Sequence, residues 1–147
     1  MYFQDYKIGQ VFDKEIEDVC FTKEEIIASG REFDPRDIHV DEKKAKESRF
    51  NTLIASGSYS NMKFWASWVK TGIDHDGLIA GVSVDKASWL LPVYPDTPYK
   101  ISVEIVDKKV RKENEDGFVT YKLLAKDPDG KIATEYIATG LVRFRKD

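Results

Sequence analysis

Ser58-Tyr59-Ser60-Asn61-Met62-Lys63-Phe64-Trp65-Ala66-Ser67-Trp68-Val69-Lys70-Thr71 reads as a single helix, with Gly72 placed to end it. The stretch is about 14 residues, or roughly 21 Å if helical. Ser60, Lys63, Ser67 and Lys70 fall at i, i+3, i+7 and i+10, a narrow polar stripe, while Tyr59, Met62, Phe64, Trp65, Ala66, Trp68 and Val69 cover most of the rest. A helix that apolar is expected to be mostly surrounded. Its aromatic residues then read as core rather than as a platform for a ligand, although Tyr59, Met62 and Trp65 are placed to restrict a tunnel if one exists.

What surrounds it comes from the second half of the chain, which reads as strand. Val82 and Val84 begin an alternation running to Trp89, and Tyr99, Ile101, Val103 and Ile105 alternate with Lys100, Ser102 and Glu104. Asn114-Glu115-Asp116-Gly117 and Asp127-Pro128-Asp129-Gly130 have hairpin-turn composition on either side of a strand from Phe118 to Lys126. The economical packing is an α+β fold, a curved antiparallel sheet wrapped around a central helix.

Upstream, Thr22-Lys23-Glu24-Glu25 is a capping box that predicts a helix ending near Phe33, because Asp34 precedes Pro35. Asp41 reads as the N-cap of a short helix through Lys46. Between them lies Asp34-Pro35-Arg36-Asp37-Ile38-His39, which Pro35 is expected to keep out of regular helix. A carboxylate and an imidazole held in a loop clamped by two helices suit proton transfer near neutral pH. The alternative is a surface loop in which Asp34 starts a turn and His39 is half buried.

With 147 residues, no internal repeat and no Gly/Ser/Pro-rich linker, the chain is expected to form one domain over 1–147. Hydrophobic residues at 41% and charged residues at 33% describe a soluble protein, and no apolar run is long enough to cross a bilayer. The N-terminus lacks the basic start and apolar stretch of a secretory signal, so cytoplasmic localisation is expected. A net charge of −3 argues against a general nucleic-acid binder. Cys20, between Val19 and Phe21, reads as a buried structural thiol. Asp74-His75-Asp76 reads as a turn rather than a metal site, and the chain has neither a metal-ligand spacing nor a Gly-rich cofactor loop.

Four segments carry a family resemblance. Arg31 to Ala45, R-E-F-D-P-R-D-I-H-V-D-E-K-K-A, resembles the D-x-N-P-x-H-x-D-x-x-x-A signature of the MaoC-like (R)-specific enoyl-CoA hydratases, a hotdog-fold family. Ile54-Ala55-Ser56-Gly57 is similar to its I-A-H-G segment, Trp89-Leu90-Leu91-Pro92-Val93 to its W-x-x-P-V segment, and Asp5 to Gln10 to its opening D-x-x-x-G-x.

The resemblance implies hydration of a trans-2-enoyl thioester, carried by CoA or an acyl-carrier protein, to an (R)-3-hydroxyacyl thioester without cofactor. It places acid–base catalysis on Asp34 and His39 and the thioester-oxygen donor on the backbone of Gly57. It also implies a homodimer or higher homo-oligomer.

The chain departs from the signature at Arg36 and Asp37, where the family has Asn and Pro. Arg36 either neutralises a neighbouring carboxylate or binds an anionic group of the substrate, and Asp37 could compete with Asp34 for His39. Ser56 replaces the family His. As a nucleophile with His39 and Asp34 it would make a thioesterase, although a Ser before a helix is commonly a cap. A non-catalytic acyl-thioester-binding subunit is the third reading. Lys43, Lys44, Lys46 and Arg49 are placed to attract CoA phosphates or simply to face solvent.

Overall fold

The computed structural model describes residues 1–147. Its first helix starts where the capping box predicts: Thr22 Oγ1 accepts the Glu25 N–H at 3.1 Å, and a Glu25 carboxylate oxygen accepts the Thr22 N–H at 2.9 Å. Helix α1 runs Lys23–Phe33 and stops at Asp34, whose φ of −153° and ψ of 82° are not helical. The loop expectation needs a correction. Pro35 restrains itself and the residue before it but not those after it, and the chain makes one helical turn shortly afterwards, α2 (Asp37–Val40), which carries His39. Asp41 caps α3 (Glu42–Glu47) by accepting the Lys44 N–H at 3.0 Å.

Helix α4 spans Gly57–Val69, with Ser56 as its N-cap. Gly72, at φ 71°, takes the left-handed conformation expected of a helix stop. Phe64 and Trp68 are fully buried. Their rings meet Phe21, Tyr99 and Tyr121 at centroid distances of 5.4 to 6.0 Å, forming the aromatic centre of the core. The expected polar stripe is only partly exposed. Ser60 is buried, with its hydroxyl bonded to the Gly57 carbonyl, and Asn61 is buried beside it, while Met62 and Val69 face outward. A serine that satisfies itself on its own helix can enter a core without loss.

Strands β1 (Val11–Phe12), β2 (Leu78–Trp89), β3 (Lys100–Lys112), β4 (Asp116–Lys126) and β5 (Ile132–Arg143) form one antiparallel sheet in the order β1-β3-β4-β5-β2. β3, β4 and β5 bury alternate residues against α4. β2, at the sheet edge, does not, and Ile79, Val82 and Val84 are exposed within the single chain.

Two further expectations change. At the first hairpin the left-handed residue is Asn114, at φ 58°, because β4 already begins at Asp116. Gly117 lies inside the strand, where a Cβ would come within 2.3 Å of the Phe3 ring. Cys20 is exposed. Val19 pairs with Tyr99 in an extended bridge, so Val19 and Phe21 point inward and the residue between them points out.

The α1 cap is also an electrostatic cluster. Burial alone raises the pKa of Glu25, but the Lys63 ammonium, the Thr22 N–H and the Tyr59 hydroxyl together outweigh it and bring the value down to about 2. A carboxylate depressed from its ordinary 4.5 stabilises the fold fully above that pH and loses its contribution as pH falls through about 2. Urea unfolding is therefore expected to weaken across this window, with a shallower decline in Glu25→Gln. Equal declines in both proteins would exclude the cluster as the cause.

Candidate active site

Gly30 allows the His39 turn to sit where it does. A Cβ there would lie 3.0 Å from the His39 Cβ, the His39 carbonyl oxygen and Val40, so a larger residue would push α2 away from α1. The Ile54 peptide then holds α2 from the other side. Its N–H donates to the Ile38 carbonyl at 3.1 Å, and its carbonyl oxygen lies 2.7 Å from His39 Nδ1. A carbonyl only accepts, so Nδ1 carries the proton and, in the neutral ring, Nε2 presents a lone pair.

That Nε2 faces Asp34 Oδ2 at 3.6 Å. His39 is 6% exposed, and the Asp34 side chain keeps 23% of its surface open. Arg36 Nη1 approaches the same Asp34 oxygen at 3.3 Å from a largely solvated position. Asp37 turns away from the histidine and pairs with Lys44 at 3.7 Å.

Asp34, Arg36, His39, Gly57 and Trp89 line one cleft of about 550 Å³, closed along one side by the Leu90–Val93 segment. Gly57 is the first residue of α4, so its N–H has no acceptor within the helix, and no other group of the chain takes it. The helix N-terminus thus offers a free donor and the positive end of a dipole to whatever enters the cleft. The indole of Trp89 lies against this glycine: a Cβ on Gly57 would come within 2.5 Å of the ring.

Ser56 lies elsewhere. It is 1% exposed, its hydroxyl accepts the Tyr59 N–H at 3.4 Å, and it does not line the cleft. The Arg/Lys group on and after α3 supplies no lining residue either. Sequence reasoning passed over Gly30 and the Ile54 carbonyl. A glycine inside a helical pattern is a usable signal of close approach, whereas nothing in a sequence shows which carbonyl a ring nitrogen will meet.

Residues 5–126 match the family model described as "MaoC like domain". The chain belongs to this family. It is 37% identical over 123 residues to the uncharacterized protein YdeM of Bacillus subtilis (strain 168), covering 84% of this chain and 85% of that protein. Among solved structures, the MaoC-like dehydratase from Rhodospirillum rubrum superposes with a TM-score of 0.88 at 24% identity, covering 100% of this chain and 99% of that one. The R-hydratase PhaJ1 from Pseudomonas aeruginosa superposes with a TM-score of 0.72 at 14% identity, covering 99% and 86%. The helix wrapped by a curved antiparallel sheet is the hotdog fold of these neighbours. No helix is long and apolar enough to cross a membrane.

Proposed function

We propose that the cleft adds water reversibly to a trans-2-enoyl thioester, on CoA or an acyl-carrier protein, giving the (R)-3-hydroxyacyl thioester. The observation that carries this reading is the pairing of His39 Nε2 and Asp34 Oδ2 in the same cleft as the unpartnered Gly57 N–H.

The chemistry has three parts. A water held between the imidazole and the carboxylate gives up a proton as its oxygen bonds to the β-carbon. The electrons of the double bond move onto the thioester oxygen, where the Gly57 N–H receives the developing enolate charge. Collapse of the enolate then takes a proton onto the α-carbon from the same Asp34/His39 pair, so atoms and charge balance and both additions occur on one face. The hydrogen bond from Nδ1 to Ile54 fixes the ring orientation for both transfers. Arg36, at the cleft rim, orients Asp34 and is within reach of an anionic group on an incoming substrate.

A homodimer fits the same reading. β2 is an edge strand with exposed apolar residues, and a second copy adding its own β2 would cover them and continue the sheet.

The test follows the loss of enoyl absorbance on crotonyl-CoA while free thiol is monitored in parallel. The expected result is loss of conjugation with the thioester intact. Thiol release would replace this reading with a thioesterase, and silence in both channels across acyl lengths would favour a binding-only subunit.

A further inference from the structure

A single arginine is the one Lys or Arg lining the cleft, and it stands beside the carboxylate. Arg36 Nη1 lies 3.3 Å from Asp34 Oδ2, the oxygen that also faces His39 Nε2 at 3.6 Å. A guanidinium carries five N–H donors in a planar fork, and this one commits a single nitrogen to a single oxygen. The side chain is 79% exposed, so most of the fork is open.

Its backbone ties it to the histidine. Arg36 is the N-cap of α2, and its carbonyl oxygen accepts the His39 N–H at 2.9 Å. Asp37, the next carboxylate along the chain, pairs with Lys44 at 3.7 Å and makes no ion pair with Arg36. The position is also one at which the chain departs from the signature it resembles, with a cation in place of a neutral Asn.

The hydration chemistry sets what can come near this cation. With the thioester oxygen on the Gly57 N–H and the water between Asp34 and His39, the β-carbon sits against Asp34. A group one or two carbons beyond it is then within a guanidinium's reach. The phosphates of CoA are at the other end of the substrate, beyond the whole pantetheine arm.

We propose that Arg36 selects a trans-2-enoyl thioester whose acyl chain is short and ends in a second carboxylate, one or two carbons past the β-carbon. The assignment rests on the hydratase reading of the cleft. Asp34 already places a negative charge here, and an incoming carboxylate alone would be repelled by it. The guanidinium serves both groups: one nitrogen stays on Asp34, and the free edge of the fork takes the substrate carboxylate in bidentate geometry. A methyl-ended chain gains nothing from those N–H groups, which stay with water.

Selectivity is read as a ratio, so that any general loss through Asp34 cancels. trans-Glutaconyl-CoA and its terminal amide are alike in shape and differ in charge. The wild type is expected to hydrate the carboxylate with about tenfold higher kcat/KM, the worth of a charge-assisted hydrogen bond in a partly solvated place. Arg36→Gln should bring the ratio to about one, while Arg36→Lys, which keeps the charge without the fork, should retain part of the preference.

A wild type that treats the two alike, or a preference that survives Arg36→Gln, would overturn the proposal. Crotonyl-CoA and crotonyl-pantetheine form the second pair, since they share an acyl group and differ in the phosphates. Loss of the CoA advantage in Arg36→Gln, in place of the carboxylate preference, would assign the guanidinium to those phosphates and overturn the proposal too.

Binding without chemistry separates this inference from the hydratase reading. Saturated glutaryl-CoA and its terminal amide, titrated against the full chain by tryptophan fluorescence, are expected to show the same preference and the same dependence on Arg36. Equal affinities, or no binding of either ligand, would count against the proposal itself. Intact selectivity in binding, with crotonyl-CoA and glutaconyl-CoA both left unhydrated, would sink the hydratase reading alone.

Discussion

His39→Ala is expected to lower the turnover of crotonyl-CoA hydration by a factor of about a hundred to ten thousand, the range that a positioned general acid–base contributes. The expectation rests on orientation as much as on identity. With Nδ1 committed to the Ile54 carbonyl, Nε2 is the nitrogen that meets Asp34, so the ring needs no rearrangement before it can take a proton.

Asp34→Asn should fall within the same range, since the amide keeps the shape while losing the carboxylate that shares the shuttle. His39 is buried, so its removal also takes packing away. Thermal unfolding of both variants therefore accompanies the rates, and Asp34→Asn, at a more open position, is the cleaner comparison. Wild-type turnover in either variant would end the acid–base assignment.

Gly57→Ala is expected to cost about a hundred- to a thousandfold in turnover, the worth of one aligned oxyanion donor. The substitution keeps the backbone N–H. The loss comes from the Trp89 indole, whose Cε2, Nε1 and Cζ2 atoms would lie 2.5, 2.7 and 2.8 Å from the new methyl. Either the ring leaves or the first turn of α4 withdraws, and withdrawal carries the donor away from the thioester oxygen. Trp89→Leu in the same chain removes the obstruction, and the double variant should recover most of the lost turnover. Failure to recover would show that the glycine serves something other than its fit against Trp89. A Gly57→Ala protein with wild-type turnover would dismiss the constraint altogether.

The residues at the centre of both predictions are readable in the sequence, for different reasons. Thr22, Asp41 and Ser56 announce helix starts because capping is local chemistry, and all three caps form. Asp34, His39 and Gly57 were legible through family motifs, and the fold brings them to one cleft.

What depends on distant partners was not legible. Trp89 and Gly57 are neighbours only because β2 and α4 meet, and Gly117 looked like a turn glycine until Phe3 from the other end of the chain was found against it. Burial misled in the same way. Cys20 among apolar neighbours suggested an inward thiol, but a two-residue period in extended chain sends it outward. Met62 and Val69 looked like core because composition counts apolar residues without saying which face they occupy.

Pairing of the uncovered strand β2 with a second copy would tie this protein's durability to how much of it is present. If a second copy covers Ile79, Val82 and Val84, part of the free energy holding the chain together is set by mass action, and the unfolding temperature rises with each increase in protein concentration. Dilution then leaves an open sheet edge, which favours indiscriminate strand pairing over orderly refolding.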